Sequence, residues 1–134
     1  MTIQWTADLV VGINSIDTQH RELFLRVNSL LDVASGGNGN QKTKEVILFL
    51  CDQVMACFSL EEKFMAQYRY PLANCHQVEH DRFIEDLTHL THGYDAKGAS
   101  TYLVMGIQRR VCNWLIDHID KSDRALGNYL KARL

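Results

Sequence analysis

This chain of 134 residues predicts an all-α fold: an up-down-up-down four-helix bundle with an extended N-terminal arm and a short C-terminal helix. Two observations carry the expectation. Apolar residues recur at intervals of three and four through four long segments, which is the period of one helical face. The breakers between these segments are few: the run Gly36-Gly37-Asn38-Gly39, the single proline Pro71, and the stretch from Gly93 to Gly98. Short connections of this kind make neighbouring helices antiparallel.

In chain order, residues 1–15 hold Trp5, Val10, Val11 and Ile13 and read as an arm packed over the bundle. The first helix covers residues 17–34, with Asp17 or Thr18 as its N-cap, and lines up Ile16, His20, Leu23, Phe24, Val27, Leu30 and Leu31. A second, over residues 41–67, lines up Ile47, Leu50, Val54, Cys57, Glu61, Phe64 and Met65. Pro71 opens the third, whose face is His76, His80, Phe83, Leu87 and Leu90. The fourth starts near Ala99 and carries Leu103, Ile107, Val111, Trp114, Leu115 and His118. After a polar stretch, Leu126, Tyr129 and Leu130 resume the pattern as the short terminal helix.

Composition bounds the function. With 46% hydrophobic residues the chain reads as one domain, residues 1–134, able to bury a core without staples. A net charge of −2 and a pI near 6.3 give no electrostatic case for nucleic acid or an anionic membrane as partner. Apolar runs such as Val46 to Leu50 are far too short to span a bilayer. Cys51, Cys57, Cys75 and Cys112 lie in helical patterns, not in the close spacing of a disulfide framework, and no basic-apolar-small leader precedes Trp5. A reduced, cytoplasmic protein is expected. No nucleophile–base constellation or phosphate-cradling glycine loop is present, so the chain is expected to be a ligand-binding module, not an enzyme.

His20, Cys57, Glu61, His76, His80, His118 and Asp123 are the residues that point to chemistry. Cys57 and Glu61 are four apart, as are His76 and His80, so each pair stacks on one helical face inside an apolar stripe. A single histidine in such a stripe is ordinarily a satisfied core residue. Four of them with a glutamate, on inward faces of every helix, are hard to satisfy by hydrogen bonds alone. Imidazole with carboxylate is a donor set for iron, zinc or copper. His89, nine residues beyond His80 and about 900° around the helix, falls on the opposite face and should be solvated. Glu62, one step off the Glu61 face, is a surface charge or an outer partner of a ligand. On a regular helix His118 and Asp123 point about 140° apart and cannot share a metal. If both belong to the ligand set, the polar Asp120-Lys121-Ser122 insert is expected to break or bulge the helix and swing Asp123 inward.

The run from Gly12-Ile13 through Asp17-Thr18-Gln19-His20, then Phe58-Ser59-Leu60-Glu61-Glu62-Lys63-Phe64-Met65, Tyr70-Pro71, His76 to His80, Phe83, and Trp114-Leu115-Ile116-Asp117-His118-Ile119 with Asp123 resembles the hemerythrin family, its bacterial branch above all. The resemblance implies a non-haem di-iron centre that binds O2: two iron ions bridged by an oxo or hydroxo group. One iron would be held by His76, His80 and His118 and the other by His20 and the residue at 57, with Glu61 and Asp123 bridging and Ile119 flanking the O2 pocket. The family has histidine where this chain has Cys57. A cysteine Sγ falls roughly 3 Å short of the far imidazole nitrogen, more than a metal–sulfur bond of about 2.3 Å recovers. Cys57 is therefore expected not to coordinate, thiolate ligation being the alternative.

An open position on the His20 iron suits a sensor of O2, redox state or NO, with small exogenous ligands such as O2, NO and azide-like anions. Such a module can serve a C-terminal output domain, as in a diguanylate cyclase or a chemotaxis receptor. Three alternatives stand beside it: an enzyme that reduces peroxide or NO or oxidises iron, an O2 carrier or store, and a bundle whose damaged site serves structure alone.

Overall fold

Four helical rods follow one another in the computed structural model, which describes residues 2–35, 40–97 and 101–134. They are α1 (Asn14–Ser35), α2 (Asn40–Gln67), α3 (Ala73–Lys97) and a fourth rod that changes its winding along its length. That rod runs as α4 (Thr101–Gly106), a π-helical segment π1 (Ile107–Cys112), α5 (Asn113–His118), a second π-helical segment π2 (Ile119–Asp123) and α6 (Arg124–Lys131). Helix α1 packs on α2 and on the α4–π1 stretch, and α3 packs on the same two neighbours, which closes a four-helix bundle. No strand occurs among the described residues, and none of their helices is long and apolar enough to cross a membrane. The break expected at Gly36-Gly37-Asn38-Gly39, and Gly98 with the start expected at Ala99, lie outside the described residues. Of the break expected over Gly93 to Gly98, residues 93–97 are instead helical: α3 runs through Gly93 to Lys97, because a lone glycine is tolerated inside a helix.

The expected stripes of the four long segments are buried except at Phe64, Leu90 and Trp114, which are half-buried. Ile16, Leu23, Phe24, Val27, Leu30 and Leu31 of α1 and Ile47, Leu50, Val54 and Met65 of α2 are all buried, as are Phe83, Leu87, Leu103, Ile107, Val111 and Leu115. At roughly 1.5–3 kcal/mol for each large apolar side chain removed from water, these stripes dominate the stability of the bundle. They form two separate clusters. One holds Leu23, Phe58, Phe83 and Leu115, and the other holds Ile16, Phe24, Met65, Tyr70, Ile119, Leu126 and Leu130. Each rod passes from one cluster to the other through buried polar residues: His20 on α1, Glu61 on α2, His76 and His80 on α3, His118 and Asp123 on the fourth. The apolar pattern thereby builds a polar layer inside the bundle.

Three local expectations are corrected. Helix α1 begins at Asn14, ahead of the expected cap, and Asp17 is a buried residue of its first turn. Its carboxylate accepts the amides of Val11 (2.9 Å) and Gly12 (3.1 Å), because Gly12, at φ +92°, folds the arm back with its N–H groups facing α1. Pro71 lies in the turn before α3, whose first bond of the α type runs from the His76 amide to the Leu72 carbonyl. The end of α2 explains this: Arg69 adopts a left-handed φ of 52°, the Tyr70 amide reaches Met65 O and the Arg69 amide reaches Ala66 O, a Schellman closure after which proline can follow but no helix can continue. Within the arm, Leu9, Val11 and Ile13 are buried whereas Val10 is exposed. The arm contains a 3-10 turn at Ala7–Leu9 and is tied to α1 by a reciprocal pair, Ile3 N–H to Asn28 Oδ1 and Asn28 Nδ2 to Ile3 O, both 2.8 Å.

Candidate metal centre

Glu61 and Asp123 face each other's histidines across the polar layer. The Oε1 of Glu61 lies 3.0 Å from Nε2 of both His76 and His80 and 3.8 Å from that of His118. The Oδ1 of Asp123 lies 3.1 Å from Nε2 of His76 and of His118. The remaining oxygens, Glu61 Oε2 and Asp123 Oδ2, each lie 3.1 Å from His20 Nε2. Each carboxylate thus presents one oxygen to a pole of three imidazoles and the other to a pole of one. Donor atoms of Glu61, His76, His80, His118 and Asp123 fall within 4.8 Å of one another, all buried.

The expected irregularity delivers Asp123. Over π2 the hydrogen bonds include Arg124 N–H to Ile119 O, five residues back, so the helix is wound wider than α and residues five apart come onto one face. His118 and Asp123 are such a pair. The earlier segment π1, closed by Asn113 N–H to Gln108 O, was not legible in the sequence. His89 is exposed, as its register requires.

Two outer partners orient the imidazoles. His80 Nδ1 lies 2.7 Å from Glu62 Oε2, and His118 Nδ1 lies 2.8 Å from Glu79 Oε1. Glu79 also accepts from the Ser122 hydroxyl at 2.7 and 2.9 Å. Glu62 was one of two readings of its register; Glu79 and Ser122 were not anticipated, although Glu79 sits beside His80 in sequence and Ser122 beside Asp123. Aromatic rings wall the layer. Phe58 stacks on His80 at 3.8 Å between centroids, Trp114 on His118 at 4.4 Å, and Trp5 of the arm leans over His20 at 6.0 Å.

Burial opposes charge on His20, His76 and His118, yet Asp123 and Glu61 outweigh it and lift His20 and His76 to about 9 and His118 to about 11. Burial likewise opposes ionisation of Glu61 and, with Glu61's charge, of Asp123; the facing histidines prevail and hold both carboxylates below their ordinary range. The layer therefore demands positive charge at its centre. His118 Nε2 and both Asp123 oxygens, all buried, have no hydrogen-bond partner of acceptable angle among the described residues despite their 3.1 Å approaches. Glu61 is hydrogen-bonded to His20, His76 and His80, but the unsatisfied remainder on His118 and Asp123 fits cations between the two carboxylates. Imidazole and carboxylate suit iron, and a carboxylate with oxygens facing two poles suits two of them.

Cys57 is buried but points elsewhere. Its Sγ donates to Gln19 O at 3.4 Å and accepts from Gln53 Nε2 at 3.6 Å, while Gln53 also donates to Gln19 O and Oε1. Gln53, one helical turn before Cys57, was missed although its spacing places it on the same face. Burial, and then the Glu61 charge, push the Cys57 thiol well above its ordinary value. Ile119 is fully buried in the cluster beneath the arm.

The hemerythrin HHE cation binding domain family model matches residues 11–130. A bacteriohemerythrin of Methylococcus capsulatus is 32% identical over 129 residues, 96% of each chain, and one of Stenotrophomonas maltophilia is 30% identical over 130 residues, 97% of this chain and 82% of that one. A crystal structure of a hemerythrin point mutant is similar at a TM-score of 0.85, with 29% identity and 96% of each chain covered. This chain belongs to the hemerythrin family.

Proposed function

We propose that the chain is a non-haem di-iron module that binds O2 and related small ligands and reports O2 or redox state. The division of Glu61 and Asp123 between two poles carries this reading. His76, His80 and His118 would hold one iron, His20 the other, and Glu61 and Asp123 both. When bound, the pair of irons supplies a redox centre to which O2 or NO can attach. The chain would supply the setting: neutral imidazoles would hold the metal without adding charge, two carboxylates would offset the cations, and the rings of Phe58, Trp114 and Trp5 line the layer. Ile119 is proposed as part of the apolar wall of the ligand pocket.

Cys57 supports a sensor over a store. A protonated thiol hydrogen-bonded to the Gln19 carbonyl is a poor ligand, so an iron at the His20 pole would have one imidazole and would retain exchangeable positions. Open positions favour ligand exchange and shorten the lifetime of bound O2. The test is azide binding to the oxidised, iron-loaded protein, followed by absorbance in stopped flow. Uptake in more than one phase, reduced to a single phase in Cys57→His, is the expected result. Identical single-phase uptake in both proteins would remove the sensor reading.

A further inference from the structure

We propose that Glu79 and Ser122 form a clamp that positions His118 and the π2 segment together, so that Asp123 is delivered to the centre. For its effect on metal the proposal rests on the di-iron reading. One carboxylate, from α3, takes both contacts: His118 Nδ1 at 2.8 Å and the Ser122 hydroxyl at 2.7 and 2.9 Å. The first contact fixes the imidazole with its proton on Nδ1 and Nε2 turned inward, and raises its strength as a donor. The second acts on the backbone. His118 and Ser122 bracket the first turn of π2, and Ser122 immediately precedes Asp123, so holding both to one point on α3 holds the winding between them.

The neighbouring outer contact shows what the clamp adds. Glu62 meets His80 Nδ1 at 2.7 Å, and no contact ties it to π2. It can orient its histidine but cannot govern the turn. His20 Nδ1 and His76 Nδ1 have no hydrogen-bond partner among the described residues. The clamp therefore acts at the histidine that shares its rod with Asp123, the carboxylate that faces both poles.

Ser122→Ala removes the tie to π2 and leaves Glu79 on His118; Ser122→Thr restores the hydroxyl; Glu62→Gln is the control. Hydrogen exchange of the amides of residues 119–124 is measured in metal-free protein, and iron affinity by competition with a chelator. Ser122→Ala should speed exchange in this segment about tenfold and weaken iron binding by about 10–100-fold, with both effects reversed in Ser122→Thr. Glu62→Gln should weaken iron binding without changing exchange over 119–124. Unchanged exchange in Ser122→Ala, or equal acceleration in Glu62→Gln, overturns the clamp. Because the exchange measurement uses metal-free protein, it decides the clamp separately from whether iron binds at all.

Discussion

His118 and Asp123 stand five residues apart in the chain and 3.1 Å apart in space, Nε2 to Oδ1, because the helix between them is π-wound. On an α-helix the same two side chains would diverge by about 140°. The irregularity is what lets this rod turn two groups five residues apart into the layer, and it places a site residue directly before α6. A change of charge between Glu61 and Asp123 therefore acts directly on the segment that leads into α6.

Removing a bridge should cost more metal than removing the thiol. Glu61→Ala and Asp123→Ala each delete oxygens that face both poles, whereas Cys57→Ala deletes a side chain bonded to Gln19. Iron content after reconstitution should fall steeply in the first two and stay near that of the unaltered protein in the third. Equal loss in all three would make Cys57 a ligand.

Restoring imidazole should change the chemistry of the His20 pole. Cys57→His is expected to lengthen the lifetime of the oxygenated form and slow its autoxidation, since fewer water and anion positions remain. Decay of the optical spectrum after exposure of the reduced protein to air measures this. No difference from the native sequence would show that the cysteine does not govern the open position.

The cysteines should differ in reactivity. Cys75 is exposed, while Cys57 is buried with its thiol held protonated, so alkylation at pH 8 should label Cys75 in the folded protein and Cys57 only on unfolding. Mass spectrometry of the digested protein reads the result; rapid labelling of Cys57 in the native state would contradict its assigned hydrogen bonds.

Metal-free protein should lose stability as the solution becomes alkaline. His20, His76 and His118 have folded values raised above an unfolded value near 6.5, so their contribution is complete below pH 6.5, declines above it, and is gone past about 9 for the first two and about 11 for His118. Glu61 and Asp123 act in the opposite sense, contributing above the ordinary carboxylate range and losing that contribution as the pH falls through their depressed values. Unfolding temperatures between pH 6 and 11 should fall for metal-free protein, and iron loading at pH 7 should release protons. Stability that rises from pH 7 to 9 would contradict the signs given.

Glycine positions separate packing from propensity. A Cβ on Gly127 would lie 2.5 Å from the Val11 carbonyl oxygen, so Gly127→Ala should displace the arm and cost about 1–3 kcal/mol. Gly93 of α3 has open space around it, and Gly93→Ala should stabilise by about 0.5–1 kcal/mol. Urea unfolding of the two variants should move in opposite directions.

Much of this was legible in the sequence, because the strongest signal, apolar periodicity, is also what sets the bundle. The register of His20, Glu61, His76, His80 and His118 follows from the stripes they interrupt, and the bulge before Asp123 follows from helical angles once His118 and Asp123 are both taken as ligands of one site. What escaped depends on contacts between rods. Asp17 resembles a helix cap until the arm folds back over it at Gly12, and Glu79 lies one step off its helix face until α5 and π2 come alongside. Gln53 reads as an ordinary polar residue until the short thiol of Cys57 leaves the Gln19 carbonyl within reach. The π1 segment carries no charged or breaker residue pattern that distinguishes it from α-helix.

Iron content and the optical spectrum of the purified protein, before and after dithionite and then air, test the central claim most directly. Two poles of imidazole joined by Glu61 and Asp123 require about two irons per chain and near-ultraviolet charge-transfer bands that vanish on reduction and return in air. One iron per chain, or a protein that holds only zinc, would contradict it.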